Sequence, residues 1–264
     1  VCTLSLLAPP RGGYLLAANR DEFATRGVAR PPARARAGAN RFVAPRDPDQ
    51  GGTWIAVDRA GRSLCLLNGD RVLAPAEIAR AAAPVRGAPF RSRGLLVLDL
   101  LEDPRPAAVV ATLRALHRSG RLLYRPFKLV AVAPRARGRG VDARRIEFDG
   151  RALHCARLAA PHVETSNGFD PAGVARARGA SFGRLAARLR RLDGARWRTA
   201  LLAWHRRHLD AAGGAAARRR SVCVHGLRVR TVSSTLVEVG PAGVSMRYQP
   251  GPPCRGFPGV ELAP

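Results

Sequence analysis

The sequence predicts an α+β fold in layers, with two antiparallel sheets between helical layers, formed by one domain over residues 1–264. Three observations predict it. Strand-like and helix-like segments come in blocks (strands, helices, strands, helices, strands) rather than in the regular alternation that builds a parallel sheet. The early strands are joined by short turns rich in glycine and proline. At 264 residues and 46% hydrophobic content, the chain can also bury a sizeable core.

The elements follow in order. Residues 2–8 are apolar and extended, Pro9-Pro10-Arg11-Gly12-Gly13 is turn chemistry, and residues 14–19 return as the second strand of a hairpin. Residues 26–40, rich in Pro, Arg and Gly, are expected to form a loop. Gly51-Gly52 precedes a second hairpin, with strands at 53–58 and 63–68 around Arg59-Ala60-Gly61-Arg62. Residues 75–120 are helical in pattern, and Val109, Val110, Leu113 and Leu116 have the spacing of one helix face. Strands are expected at 127–133, 145–148 and 152–158, helices at 171–193 and 195–212. Further strands are expected at 221–224, 229–239 and 244–248.

The formal net charge is +26, and every basic residue except Lys128 is arginine. Arginine, alanine, glycine and proline dominate together, the joint bias of a GC-rich coding sequence. The arginines are spread along the chain, and aromatics make up only 5%. A nucleic-acid module would gather its charge in a stripe with interleaved aromatics. No specific nucleic-acid partner is therefore expected, although the field favours anionic small molecules. No apolar run approaches the roughly 18 residues of a membrane helix. The start lacks a basic segment and soon meets Pro9-Pro10, so it does not read as a signal peptide, and a cytoplasmic location is expected.

Five cysteines, Cys2, Cys65, Cys155, Cys223 and Cys254, are an odd number without a C-x-x-C pair. Neither a disulfide framework nor a metal or other cofactor is expected. Cys223-x-His225 offers two ligands with no third in reach of the sequence, and a strand with one buried cysteine is the preferred reading. Cys2 stands apart by position. The only methionine is Met246, so Val1 reads as a GTG start translated literally. Removal of that residue would leave Cys2 with a free α-amine. The amine titrates near ~7.7–8 and a thiol near ~8.5, so the amine can serve as base for the thiol beside it.

Cys2-Thr3-Leu4, the run Leu15 to Phe23 containing Asn19-Arg20-Asp21-Glu22, and Gly51-Gly52-Thr53-Trp54 resemble the NRDE family, named for that tetrad. This family includes transport and Golgi organisation protein 2. Leu66-Leu67-Asn68, Thr165-Ser166-Asn167-Gly168 and Thr231-Val232-Ser233-Ser234-Thr235 follow in the same order. The family in turn resembles cysteine N-terminal-nucleophile (Ntn) hydrolases, which implies a four-layer αββα sandwich. The resemblance implies Cys2 as nucleophile, Arg20 favouring its thiolate, Asp21 orienting the α-amine, and Asn167 as an oxyanion or amine partner. Asn19, Asn68, Trp54 and Arg230 are the implied substrate-binding residues. The alternatives are a strand-end ion cluster for Arg20, Asp21 and Glu22, and ordinary turns for Gly51-Gly52 and Ser166-Asn167-Gly168.

Two functions compete. One is hydrolysis or acyl transfer on a non-peptide amide or a thioester through Cys2. The other is a non-catalytic carrier of an acyl-CoA, a lipid or a haem-like anion on the same fold. Either implies a small-molecule partner that is anionic or acyl-bearing.

Overall fold

The computed structural model describes residues 2–70, 90–135, 140–166, 170–192, 194–209, 214–256 and 259–264. One sheet has six strands in the order β10-β1-β2-β11-β12-β13 and the other seven in the order β3 to β9, all paired antiparallel. The first comprises β1 (Cys2–Leu7), β2 (Tyr14–Phe23), β10 (His162–Ser166), β11 (Val229–Gly240), β12 (Gly243–Pro250) and β13 (Val260–Leu262). The second comprises β3 (Arg30–Ala37), β4 (Asn40–Arg46), β5 (Ile55–Asp58), β6 (Ser63–Asn68), β7 (Phe127–Pro134), β8 (Val141–Phe148) and β9 (Leu153–Leu158).

Strand alternation sorts the side chains into three apolar layers. Leu4, Leu6, Tyr14 and Leu16 meet Val43, Ile55, Val57, Cys65 and Val130 between the sheets. The outer face of the seven-stranded sheet packs on helices α1 (Arg93–Asp99) and α2 (Pro106–Arg118) through Leu96, Val97, Val109 and Leu113. Leu7, Leu15 and Ala17, on the outer face of the six-stranded sheet, pack on α3 (Pro171–Leu189) and α4 (Trp197–His205) through Phe182, Leu189, Leu201 and Trp204. The result is the expected four-layer αββα sandwich.

Several segments depart from expectation. The loop expected at 26–40 contains β3 and the start of β4. Pro31 and Pro32 are tolerated because β3 is an edge strand whose register shifts between Arg30 and Ala33. Strands β10 and β13 were not expected. Part of the helical stretch expected at 75–120, residues 75–89, lies outside the described residues. Residues 221–224, expected as a strand, pair with none. Their backbone is instead bonded by loops and side chains. Cys223 N donates to Arg207 O at 3.0 Å and Val224 N to Thr231 Oγ1 at 2.9 Å. Asn19 Nδ2 donates to Val222 O at 3.0 Å, and Arg178 to Ser221 O at 2.6 Å. A buried backbone without a ladder needs such partners, and its apolar residues imitate a strand pattern.

Candidate active site

The antiparallel register of β1 on β2 pairs Cys2 with Arg20. Both continue the inter-sheet face to its open end, where Cys2 is half-buried against the core. The β2 strand runs through the whole Asn-Arg-Asp-Glu tetrad, and alternation sends its members to opposite faces. Cys2, Arg20, Asp21, Trp54 and Asn68 line one cavity of about 110 Å³, along with Glu22, Arg26, Asp47 and Arg93. Asn19 is not among them. It faces the helices, donating to His205 O at 2.9 Å and Val222 O at 3.0 Å. Arg230 lines a neighbouring cavity of about 300 Å³ with Phe23, Val28, Arg26 and Arg255. The two cavities share Arg26. Asn167 lies outside the described residues.

Arg20 is buried and held on three sides. Its guanidinium donates to Asp47 at 3.0 Å and Glu22 at 3.3 Å, and stacks on the Trp54 ring at 4.5 Å. Arg26 also pairs with Asp47. Cys2 N donates to Ser166 Oγ at 3.2 Å, while its Sγ lies 3.9 Å from Asp21 O. Burial is the main influence on the thiol and pushes its pKa up.

Asp21 points to the helix side and is fully buried. Thr231 Oγ1 donates to its Oδ1 at 2.5 Å, while Oδ2 has no hydrogen-bond partner among the described residues and lies 3.8 Å from Arg178. Burial raises Asp21 to about 6, against the opposing pull of Arg178 and the Thr231 hydrogen bond. On the cavity wall, Trp54 Nε1 is a second buried polar atom without a partner among the described residues.

Arg178 was not anticipated. Fully buried on α3, it donates to Cys2 O at 3.3 Å, Ser221 O at 2.6 Å and Thr3 Oγ1. The sequence does carry a signal for it. Val174, Arg178 and Phe182 fall at i, i+4, i+8, so an arginine occupies the apolar stripe of the helix. Arg93, on the far wall, carries no comparable signal.

Cys223 and His225 also need correction. His208 and Cys254 join them, and the four ligand atoms lie within 4.8 Å of one another, so the expectation of two ligands with no third in reach does not fit the arrangement.

The description of the Transport and Golgi organisation 2 family matches residues 2–145. Among solved structures, the Caenorhabditis elegans ortholog of N-acylethanolamine-hydrolyzing acid amidase has 12% identity and a TM-score of 0.51. The match covers 89% of this chain and 92% of that one. A mutant of conjugated bile acid hydrolase from Clostridium perfringens has 10% identity and a TM-score of 0.52, covering 100% and 92%. No curated protein sequence matches. These likenesses establish the Ntn-hydrolase fold. With more than half its length matched, the chain belongs to the Transport and Golgi organisation 2 family.

Proposed function

We propose that this protein is a cysteine Ntn-type hydrolase or acyltransferase acting on a non-peptide amide or a thioester, with Cys2 as nucleophile once Val1 is removed. The observation that carries the reading is the meeting of Cys2 with Arg20, Asp21, Trp54 and Asn68 around one cavity. In the proposed reaction the thiol proton passes to the α-amine of Cys2, and sulfur attacks the carbonyl carbon. The C–N or C–S bond then breaks, and the ammonium returns its proton to the leaving group. Water attacks the resulting thioester with the amine as base, releasing the acid and restoring the thiol.

Asp21 Oδ2, buried without a hydrogen bond among the described residues, is the natural acceptor for an α-ammonium at the head of β1. Trp54 N–H and the Asn68 amide are the candidate donors to the developing oxyanion. Asn167 stays a candidate partner for the amine or the oxyanion. Arg20 shapes the wall, its charge shared with Glu22 and Asp47. The larger cavity suits an acyl-bearing anion, since Phe23 and Val28 are exposed beside Arg26, Arg230 and Arg255. Both fold relatives named above are hydrolases by description, one of them an amidase, which supports the same class of chemistry.

Intact mass and turnover test this. The mature chain is expected to begin at Cys2, and incubation with an acyl-amide panel to add one acyl mass to it. Cys2→Ala is expected to lose both adduct and turnover. Unchanged turnover in Cys2→Ala would overturn the proposal. The larger cavity also favours a second reading, a carrier of an acyl-CoA or another anionic lipid. Saturable acyl-CoA binding, equal in wild type and Cys2→Ala and without turnover in either, would select it.

A further inference from the structure

Three loops converge away from the Cys2 cavity. His208 follows α4, Cys223 and His225 belong to the segment before β11, and Cys254 sits in the 3-10 turn Pro253–Arg255 after β12. Cys223 Sγ lies 3.7 Å from Cys254 Sγ and 3.6 Å from His225 Nε2. His225 Nε2 lies 3.1 Å from Cys254 Sγ. The His208 and His225 rings stand edge to face with centroids 5.0 Å apart. Among the described residues, no carboxylate takes part.

We propose that His208, Cys223, His225 and Cys254 bind one zinc ion as a closed tetrahedral Cys2His2 site. Zinc takes thiolate at about 2.3 Å and imidazole at about 2.0–2.1 Å. A tetrahedron with those bonds has S–S edges of about 3.8 Å and S–N edges of about 3.5 Å. The observed 3.7 and 3.6 Å match these edges. The 3.1 Å edge opens by a small turn of the His225 ring, which is exposed. Paired thiolates and imidazoles are the donor set that selects zinc among common divalent ions. Four protein ligands leave no open position, so the ion is structural.

A disulfide fits less well. Its sulfurs lie about 2.05 Å apart, and it would use neither histidine. The four ligands are also scattered in sequence, which is why spacing alone does not reveal them.

The ion would fasten the segment that backs the candidate active site. Ser221 O and Val222 O accept from Arg178 and Asn19, and Val224 N donates to the Thr231 hydroxyl that in turn donates to Asp21. Fixing Cys223 and His225 on either side of Val224 holds that network in register. The site does not depend on whether Cys2 is a nucleophile.

The test is zinc binding by the full chain, stripped with chelator and kept reduced, then titrated with Zn²⁺ alone against a chromophoric chelator. One zinc per chain is expected, and Co²⁺ loading should give the thiolate charge-transfer bands of a tetrahedral site. Losing even an outer-shell partner costs roughly 10- to 100-fold in affinity, so His208→Ala and Cys254→Ser should each lose at least that much. Cys155→Ser, on β9 outside the cluster, should leave binding unchanged. Far-UV circular dichroism checks each fold, and the exposed His208 keeps the test decisive if Cys254→Ser does not fold. Failure of the reduced wild type to bind zinc would overturn the proposal. So would binding indifferent to His208→Ala, or a Cys223–Cys254 disulfide that persists under reduction.

Discussion

Arg178 and Asp21 stand 3.8 Å apart beneath the start of β1, both sealed from solvent. The guanidinium also bonds the backbone of Cys2 and Ser221, so one side chain ties α3, β1 and the segment before β11 together. Removing one partner of a buried ion pair typically costs about 3–5 kcal/mol, because the other charge stays buried and uncompensated. Arg178→Met should therefore lower unfolding free energy by that order in urea titrations at pH 7. A loss within the scatter of a surface substitution would show that the pair is not structural.

The same pair makes a pH prediction. Burial first, then Glu22 against the pull of Arg178, leaves Asp21 at about 6 against an ordinary value of 3.8. The folded state then holds this proton more tightly than the unfolded chain. Stability from this group is fully present below pH 4 and is lost as pH rises through about 6. Two units correspond to about 3 kcal/mol. Asp21→Asn abolishes that loss, so its stability relative to wild type should improve by about 3 kcal/mol between pH 4 and 7. A pH-independent difference would place the folded Asp21 near its ordinary value.

His205 makes the opposite one. Its Nε2 meets Ser5 Oγ at 2.7 Å, and burial, aided by Arg178, pushes it down to about 3 from 6.5. A neutral buried histidine supplies stability above pH 6.5 that is lost as pH falls toward 3, about 5 kcal/mol over the full range. His205→Gln should remove most of this acid sensitivity in pH-dependent urea titrations. An acid limb as steep as that of wild type would mean that other groups cause it.

Asn19 shows how far the sequence could be read. The tetrad Asn19-Arg20-Asp21-Glu22 lies on β2, and the β1/β2 register pairs Cys2 with Arg20. Alternation then turned Asn19 to the helices, where it serves two backbone carbonyls rather than a ligand. A motif fixes which residues are close in sequence, while strand period decides which of them share a face. The hairpins and helix faces were legible because their periods are local. β3 was hidden by its prolines and residues 221–224 by their apolar pattern. The cluster around Cys223 was hidden because its four ligands meet only through tertiary packing. Asn19→Ala accordingly should act on stability, costing about 2–4 kcal/mol for two buried carbonyls left unbonded. Unfolding curves should shift while alkylation of Cys2 in the folded protein stays near the wild-type rate.

Gly52 sets the far wall of the Cys2 cavity. A β-carbon there would meet Gly94 C at 2.5 Å and Gly94 Cα at 2.7 Å, both backbone atoms that cannot swing aside. The missing side chain lets the start of α1 pass against the loop, where Thr53 N donates to Gly94 O at 3.0 Å. Ser92, Arg93 and Gly94 from that same turn line the cavity with Cys2. Gly52→Ala should therefore push α1 outward, costing about 1–3 kcal/mol as overpacked sites do. It should also raise the rate at which iodoacetamide labels Cys2, read by peptide mass mapping. Gly94→Ala meets the loop less closely, at 3.0 Å or more, and should do less of both. Equal effects from the two substitutions would mean that this contact does not set the width of the cavity.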